Sequence, residues 1–376
     1  MNRRSFLLTS LLGGMGAVSM AQREAGGALS LSDQKAAIPS TAPTDARNGP
    51  GHKPWFTVGP FQKIYAPSAP WPVVPGSPVP SAEHWHVNDH CFARGPDGTW
   101  HMFGIVAVNP GFKTRVSALG HATASKLTQH PWVTQKPPFQ RDDEEVLWAP
   151  HIVSHQGVYH MFYCSGNRDR KRTSQEPNRR PYFISLRTST DLWHWSPQAE
   201  LWVGSPQTGW ARFQEGYQAR DPMVLWNSAE PAWVMYYTVT ENPQGGHHIV
   251  ACRTSHDLVH WSGRSVAYRD SQVGTEFGPT ESPFVVRRGG GFFLFIGPRP
   301  YDRKFPQGRN WEHPGYIGTD VFYSRRCNEW TDAGYAGHIH AHALEVVQDE
   351  NGKSYVSSAG IAQGGLFLAE LHWIDE

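Results

Sequence analysis

Two stretches of the chain are nearly the same: Thr188-Ser189-Thr190-Asp191-Leu192-Trp193-His194-Trp195 and, 66 residues further on, Thr254-Ser255-His256-Asp257-Leu258-Val259-His260-Trp261. Weaker copies of the pattern occur earlier and later in the chain. They are Ala124-Ser125-Lys126-Leu127 with Trp132, and Tyr323-Ser324-Arg325-Arg326 with Trp330. A pattern that recurs at a regular period is typical of repeat architectures, in which each copy is one supersecondary unit.

A second element recurs ahead of these stretches. It consists of a short polar motif, an apolar strand, a turn and an aromatic strand such as Trp233 to Tyr237. The turns carry glycine, as in Gln156-Gly157, which supplies the positive φ that hairpins need. The five copies of the polar motif are Asn88-Asp89-His90-Cys91-Phe92, Trp148-Ala149-Pro150-His151-Ile152, Arg220-Asp221-Pro222-Met223-Val224, Glu281-Ser282-Pro283-Phe284-Val285 and His342-Ala343-Leu344-Glu345-Val346.

Five units of about 60–70 residues, each with several strands, predict an all-β fold, namely a five-bladed β-propeller. The 37 Gly and 30 Pro favour short strands joined by turns over a helical protein. We expect residues 55–376 to form this propeller as a single domain, with the segment from Trp55 to Tyr65 adding a strand to the last blade. The alternative is a twisted sandwich of two sheets.

The charge balance excludes several partners. The chain of 376 residues has 34 Lys and Arg against 33 Asp and Glu, so nothing in its net charge favours nucleic acid or an anionic membrane surface. Its 4 Cys are too few for a scaffold held by disulfides. The composition leaves the oligomeric state open.

The N-terminus predicts an export signal. Arg3-Arg4 followed by Phe6-Leu7-Leu8 and an apolar run to Met20 resembles a twin-arginine signal peptide over residues 1–21, with cleavage after Ala21. Residues 22–54 are rich in Ala, Ser, Gly and Pro and predict a flexible linker. No Cys lies near the cleavage point. We therefore expect a periplasmic or secreted protein without a membrane anchor.

Three of the five polar motifs carry a carboxylate in their first two positions: Asp89, Asp221 and Glu281. The innermost strand of a propeller blade lines the central channel, so equivalent positions in successive blades meet at one mouth of that channel. Convergent carboxylates can catalyse glycoside hydrolysis, because one protonates the leaving oxygen while another acts as nucleophile or activates water. We expect Arg220 to pair with Asp221 and to lower the pKa of that carboxylate.

These motifs resemble those of the five-bladed propeller enzymes of glycoside hydrolase families 43, 32, 62, 68 and 117, and are most similar to family 43. The resemblance covers residues 80–376 and includes Trp148-Ala149-Pro150 and the final His342-Ala343-Leu344-Glu345. It implies that Asp89 is the general base or nucleophile, that Asp221 orients the substrate and tunes the acid, and that Glu281 is the general acid. The chain departs from the usual pattern of family 32 after Asp89, and from that of family 43 at His151.

Other residues near the predicted mouth are candidates for substrate or cation binding. His90 and His151 can contact sugar hydroxyls, and Trp148 can stack on a sugar ring. Arg220 and Arg299 complete the predicted substrate-binding set. The resemblance further implies a calcium ion or another divalent cation in the channel, held by His342 and water. No motif for an organic cofactor is present.

The resemblance implies a glycosidase that cleaves furanosidic linkages, of arabinofuranosyl or fructofuranosyl type, in an oligosaccharide or polysaccharide. Three alternatives remain: a propeller glycosidase for another sugar such as anhydro-galactose, a propeller phosphorylase, and a sugar-binding propeller without activity. A phosphorylase would need two or more basic groups beside Glu281 to hold phosphate.

Overall fold

The computed structural model describes residues 54–67, 85–108, 119–139, 144–167, 182–213, 219–242, 245–274, 278–299, 318–360 and 363–374. They belong to one compact unit, Thr44–Glu376. The predicted signal peptide, 1–21, and residues 22–53 of the predicted linker lie outside the described residues. Within the described ranges, no helix is long and apolar enough to cross a membrane.

The described residues form five β-sheets, which we number in the order of the polar motifs. Sheet one contains β3 (Trp85–Arg94), β4 (Trp100–Val108), β5 (Leu119–Ala124) and β6 (Val133–Thr134). Sheet two contains β7 (Glu144–His155), β8 (Val158–Asn167) and β9 (Tyr182–Ser189). Sheet three contains β10 (Trp202–Ser205), β11 (Gly209–Arg212), β12 (Arg220–Asn227), β13 (Ala232–Asn242), β14 (Gly245–Ser255), β15 (His260–Trp261) and β16 (Ser265–Val273).

The last two sheets complete the fold. Sheet four contains β17 (Glu281–Arg288), β18 (Gly291–Gly297), β19 (Thr319–Ser324) and β20 (Tyr335–Ile339), with a 3₁₀ helix, Asp332–Gly334, before β20. Sheet five contains β21 (Val346–Gln348), β22 (Ser354–Gly360), β23 (Gly365–Trp373) and two strands from the other end of the chain, β1 (Phe56–Val58) and β2 (Gln62–Tyr65). Both of these pair antiparallel with β23, so the segment from Trp55 to Tyr65 does join the last sheet as predicted.

Hydrophobic clusters lie between sheets that follow one another. Each cluster takes its buried side chains from two sheets, from one and two through to four and five. A further cluster joins sheet five to sheet one, where Tyr355 and Leu366 pack with Val87 and Met102. This face-to-face succession of antiparallel sheets is that of a β-propeller. The all-β propeller class is confirmed, and the two-sheet sandwich is wrong, because separate cores join consecutive sheets.

The repeated stretches form the same turn twice. The Asp191 carboxylate accepts hydrogen bonds from the N–H groups of Trp193 and His194, and Asp257 does the same for Val259 and His260. Leu192 and Leu258 follow the two Asp residues with φ values of 65° and 67° and are fully buried. The repeat in the sequence is therefore a structural turn at the outer part of sheets two and three.

Each sheet has one extra residue in the strand that carries its polar motif. In sheet three, Arg220 pairs with Thr238 and Met223 pairs with Tyr236, so two residues of β12 oppose one residue of β13. The same bulge occurs in sheets one, two and four. In sheet five, backbone hydrogen bonds set His342 opposite Ala359 and Glu345 opposite Ser357. Such bulges re-aim side chains beside functional sites.

Candidate active site

The five bulges surround one cavity. Its wall includes a bulge residue from each sheet, in order Asp89, Pro150, Asp221, Ser282 and Leu344. Four bulges begin with a residue of positive φ other than glycine, and each such residue is held there by the pairing on both sides of it. These residues are Ala149 (46°), Asp221 (56°), Ser282 (50°) and Ala343 (47°).

The three predicted acids occupy different positions of this repeated bulge. Glu281 is the last paired residue before the bulge of its sheet, Asp221 is the first bulge residue, and Asp89 is the second. The expectation that they stand at equivalent positions is therefore wrong. They come together because the bulge turns successive side chains toward the same space in neighbouring sheets.

Arg220 and Ser282 tie the three acids together. Nη2 of Arg220 donates to Oε1 of Glu281 at 3.1 Å, and its Nε lies 3.4 Å from Oδ2 of Asp221. The N–H of Ser282 donates to Oδ2 of Asp221 at 3.0 Å, and its hydroxyl donates to Oδ1 of Asp89. Sheets one, three and four thus meet in one hydrogen-bonded group of carboxylates.

Burial dominates the electrostatics of the site. It raises the pKa of Glu281 to about 8, against the opposing effect of Arg220 and with a further increase from Asp221 and Asp89. It also raises the pKa of Asp89, although the Ser282 hydroxyl and Arg220 act in the other direction. A carboxylic acid that keeps its proton at neutral pH can donate that proton to a leaving group. Glu281 meets this requirement.

Asp221 differs from the sequence-based expectation. Arg220 does pair with it, but burial raises the pKa of Asp221 to about 7, and the charge of Asp89 raises it further. Arg220 does lower the pKa of Asp221, as predicted, but burial outweighs it, so the expectation that the pKa lies below its ordinary value is wrong. Arg220 is shared between two carboxylates, so its single charge does not offset the desolvation of either one fully.

His90 and His151 line the cavity, but their ring nitrogens are engaged by the protein. Nδ1 of His90 donates to the carbonyl of Asn88 at 3.1 Å, so Nε2 accepts the Ser357 hydroxyl at 2.8 Å. Burial lowers the pKa of His90 to about 4, which fits this neutral form. Nε2 of His151 donates to the Val224 carbonyl at 3.1 Å.

A fourth buried carboxylate, Glu345, also lines the cavity, and sequence reasoning did not select it. Its Oε1 lies 3.5 Å from Nδ1 of His151, and burial raises its pKa. Glu345 follows the bulge of sheet five as His151 follows that of sheet two. Aligning the five polar motifs on the residue after the bulge would have placed both side chains in the channel.

Glu281 and four other predicted residues lie outside the described lining of the cavity. Arg220 is buried behind the acids that it binds. The Trp148 ring lies 5.2 Å from that of Tyr182. Arg299 pairs with Asp270 at 2.5 Å and lies 3.9 Å from Asp320, so its charge is directed to these carboxylates.

His342, the predicted cation ligand, is the fourth of these residues. It is buried, and its ring packs against Gly360. No three His, Cys, Asp or Glu side chains of the described ranges are arranged to hold a metal ion. A cation coordinated directly by side chains does not fit these residues, because calcium takes six to eight oxygen ligands.

Comparison with known proteins agrees with this arrangement. The family model described as Glycosyl hydrolases family 43 matches residues 122–307, just under half of the chain. A thermostable family 43 glycoside hydrolase has a similar structure with a TM-score of 0.52 at 12% identity, over 78% of this chain and 90% of that one. A family 32 beta-fructofuranosidase from Bombyx mori has a TM-score of 0.50 at 16% identity, over 84% of this chain and 59% of that one.

The fold and the family match define the protein as a glycosidase. More particularly, residues 122–307 resemble family 43, and the fold resembles that of propeller glycoside hydrolases of families 43 and 32.

Proposed function

We propose that the protein hydrolyses furanosidic linkages, of arabinofuranosyl or fructofuranosyl type, with Asp89, Asp221 and Glu281 as its catalytic acids. The observation that carries the proposal is the convergence of these carboxylates around Arg220 and Ser282, with Asp89 and Asp221 in the wall of one cavity. The similar Bombyx mori protein is a beta-fructofuranosidase, which supports this class of sugar.

The geometry supports a proposed role for each acid. Glu281, with its pKa raised to about 8, donates a proton to the oxygen of the leaving group. The Asp89 carboxylate accepts a hydrogen bond from the Ser282 hydroxyl. Burial raises its pKa, while that hydroxyl and Arg220 lower it, and Asp89 acts as the base or the nucleophile. Asp221 receives the Ser282 N–H and the Arg220 side chain, which fix it beside Glu281. A carboxylate there keeps the pKa of the general acid high.

The test is a turnover screen with 4-nitrophenyl α-L-arabinofuranoside and sucrose, each with and without inorganic phosphate. We expect phosphate-independent turnover that Asp89→Asn and Glu281→Gln each reduce about 10²-fold or more. Asp257→Asn, which alters an exposed turn, is the matched control and keeps full activity. Phosphate-dependent turnover would indicate a phosphorylase, and sugar binding without turnover would indicate a binding module.

We also propose that the five sheets are the five blades of one ring, supported by the core between sheet five and sheet one.

The cation near His342 remains a proposal that requires water ligands. Elemental analysis of the purified protein, with His342→Ala as the comparison, tests it.

Export through the twin-arginine route to the periplasm or the medium is likewise a proposal, checked by the N-terminal sequence of the exported protein.

A further inference from the structure

Ser282 stands between two of the acids and contacts both. Its hydroxyl donates to Oδ1 of Asp89 from sheet one, and its N–H donates to Oδ2 of Asp221 from sheet three. Ser282 itself belongs to β17 of sheet four and directly follows Glu281. One residue therefore touches or adjoins all three carboxylates.

We propose that Ser282 is a positioning residue for the reaction, whose hydroxyl holds the Asp89 carboxylate in its working orientation. The inference rests on the proposed function of the same site. It extends that function to a residue whose side chain has no chemistry of its own in glycoside hydrolysis.

The surroundings explain why Asp89 requires this contact. Its side chain is only partly exposed and burial is the largest influence on its pKa, so a charged oxygen that loses a hydrogen-bond donor is costly there. Among the described residues, Arg220 contacts Glu281 and Asp221, and no hydrogen bond joins it to Asp89. The Ser282 hydroxyl is thus the side-chain donor to Asp89 within the described part of the chain.

The backbone reinforces the assignment. Ser282 has a φ of 50°, a backbone conformation that residues other than glycine rarely adopt. Ala149 and Ala343 occupy the same bulge position in other sheets with nearly the same φ. They show that the bulge itself does not require a hydroxyl. What distinguishes the bulge of sheet four is its contact with Asp89.

Three variants separate the hydroxyl from the backbone. Ser282→Ala removes the hydroxyl and keeps the strained φ. Ser282→Gly removes the hydroxyl and relieves the strain, because glycine adopts positive φ readily. Gln156→Gly relieves the same strain, a φ of 51°, at an exposed turn of sheet two outside the cavity lining, and it is the matched control.

The kinetic readout is the pH profile of kcat/KM on the furanoside that the wild-type protein turns over. We expect the acidic limb to move up by about one pH unit in both Ser282 variants, because Asp89 loses a donor that favours its ionised form. We expect kcat to fall about ten-fold on the plateau with KM within about two-fold. Gln156→Gly keeps the wild-type profile. An unchanged acidic limb in Ser282→Ala and Ser282→Gly would overturn the inference.

A second readout needs no substrate. In protein labelled with ¹³C at the aspartate carboxyl carbon, the Asp89 resonance is assigned by its loss in Asp89→Asn. We expect it to titrate at higher pH in both Ser282 variants than in the wild type. A shifted titration in a protein without turnover would refute the proposed function and leave the contact established. An unshifted titration in an active enzyme would refute the inference alone.

Discussion

Glu281 and Arg220 show how single side chains set the working pH of the site. The pKa of Glu281 stands at about 8 because burial outweighs the attraction of Arg220. The protonated acid is the form that donates to the leaving group, so we expect kcat/KM to decline above about pH 8 as Glu281 ionises. A pH–rate profile measures this alkaline limb directly.

Arg220→Gln tests the opposing charge. Loss of the guanidinium removes the influence that lowers the pKa of both Glu281 and Asp221, so the alkaline limb moves to higher pH by about one unit or more. The variant also loses rate, because Asp221 and Glu281 are no longer held together. An alkaline limb that stays in place, or moves to lower pH, would refute this account of Arg220.

Arg299→Gln is the corresponding test of a residue that the sequence assigned to the substrate. Arg299 pairs with Asp270 and lies near Asp320, outside the described lining of the cavity. We therefore expect kcat/KM within about two-fold of the wild type and a lower melting temperature, because Asp270 is left buried without its partner. A large rise in KM with unchanged stability would restore Arg299 as a substrate ligand.

At the level of secondary structure, the repeated turns of sheets two and three are stabilised by the same hydrogen bonds. Asp191 and Asp257 each satisfy two backbone N–H groups and accept a hydrogen bond from a His ring. We expect Asp191→Ala and Asp257→Ala each to cost about 1 kcal/mol, as for the loss of a helix cap, or about 2 °C in melting temperature. Asn at either position keeps part of the stability. Calorimetry checks both values, and activity stays unchanged.

The same comparison shows what the sequence could and could not predict. The strands, the turns and the repeat followed from the periodicity of the sequence. Each unit has the same order of polar motif, apolar strand, turn and aromatic strand, although the amino acids differ. The offset of the three acids did not, since it depends on one extra residue whose place appears only in the pairing of β12 and β17 with their neighbours. Aligning the motifs on Pro150, Pro222 and Pro283 would have shown that Asp221 matches Ser282 and not Glu281.

Glu345 was missed for a related reason. Its motif carries Leu344 where three others carry Pro. The sequence therefore does not show that Glu345 occupies the same position of its motif as His151. The contact between the two side chains also joins sheets that are not adjacent in the chain. A contact of that kind follows from the closing of the sheets around the cavity, and no local pattern encodes it.

Two kinds of buried titratable group determine how the stability of the whole molecule depends on pH. Buried histidines reduce it at acidic pH, and the carboxyl groups of the site reduce it at alkaline pH. Burial lowers the pKa of His86, His90 and His101 to about 4 and that of His121 to about 3. The unfolded chain binds protons at these residues below about pH 6.5, so the free energy of unfolding falls as the pH decreases from there.

The acids of the site act on the alkaline side. Glu281 and Asp221 have pKa values raised to about 8 and about 7, so the folded protein retains protons that the unfolded chain releases. Their contribution is complete below about pH 4 and is lost as the pH rises through 7 and 8. Together the two groups predict a stability maximum near pH 6.5.

The variant Glu281→Gln distinguishes the effect of the carboxyl groups on stability from that of the histidines. Gln cannot ionise, so the variant avoids the cost of a buried charge above pH 8, and we expect its melting temperature to exceed that of the wild type by several degrees at pH 9. At pH 5, where Glu281 is protonated in the folded protein, the two proteins melt within a degree or two of each other. Melting curves from pH 4 to 9 measure the difference, with Asp257→Asn as the control for loss of an acid elsewhere. A constant offset between the wild type and Glu281→Gln across that range would mean that Glu281 does not hold its proton in the folded protein, and its role as the general acid would fall with it.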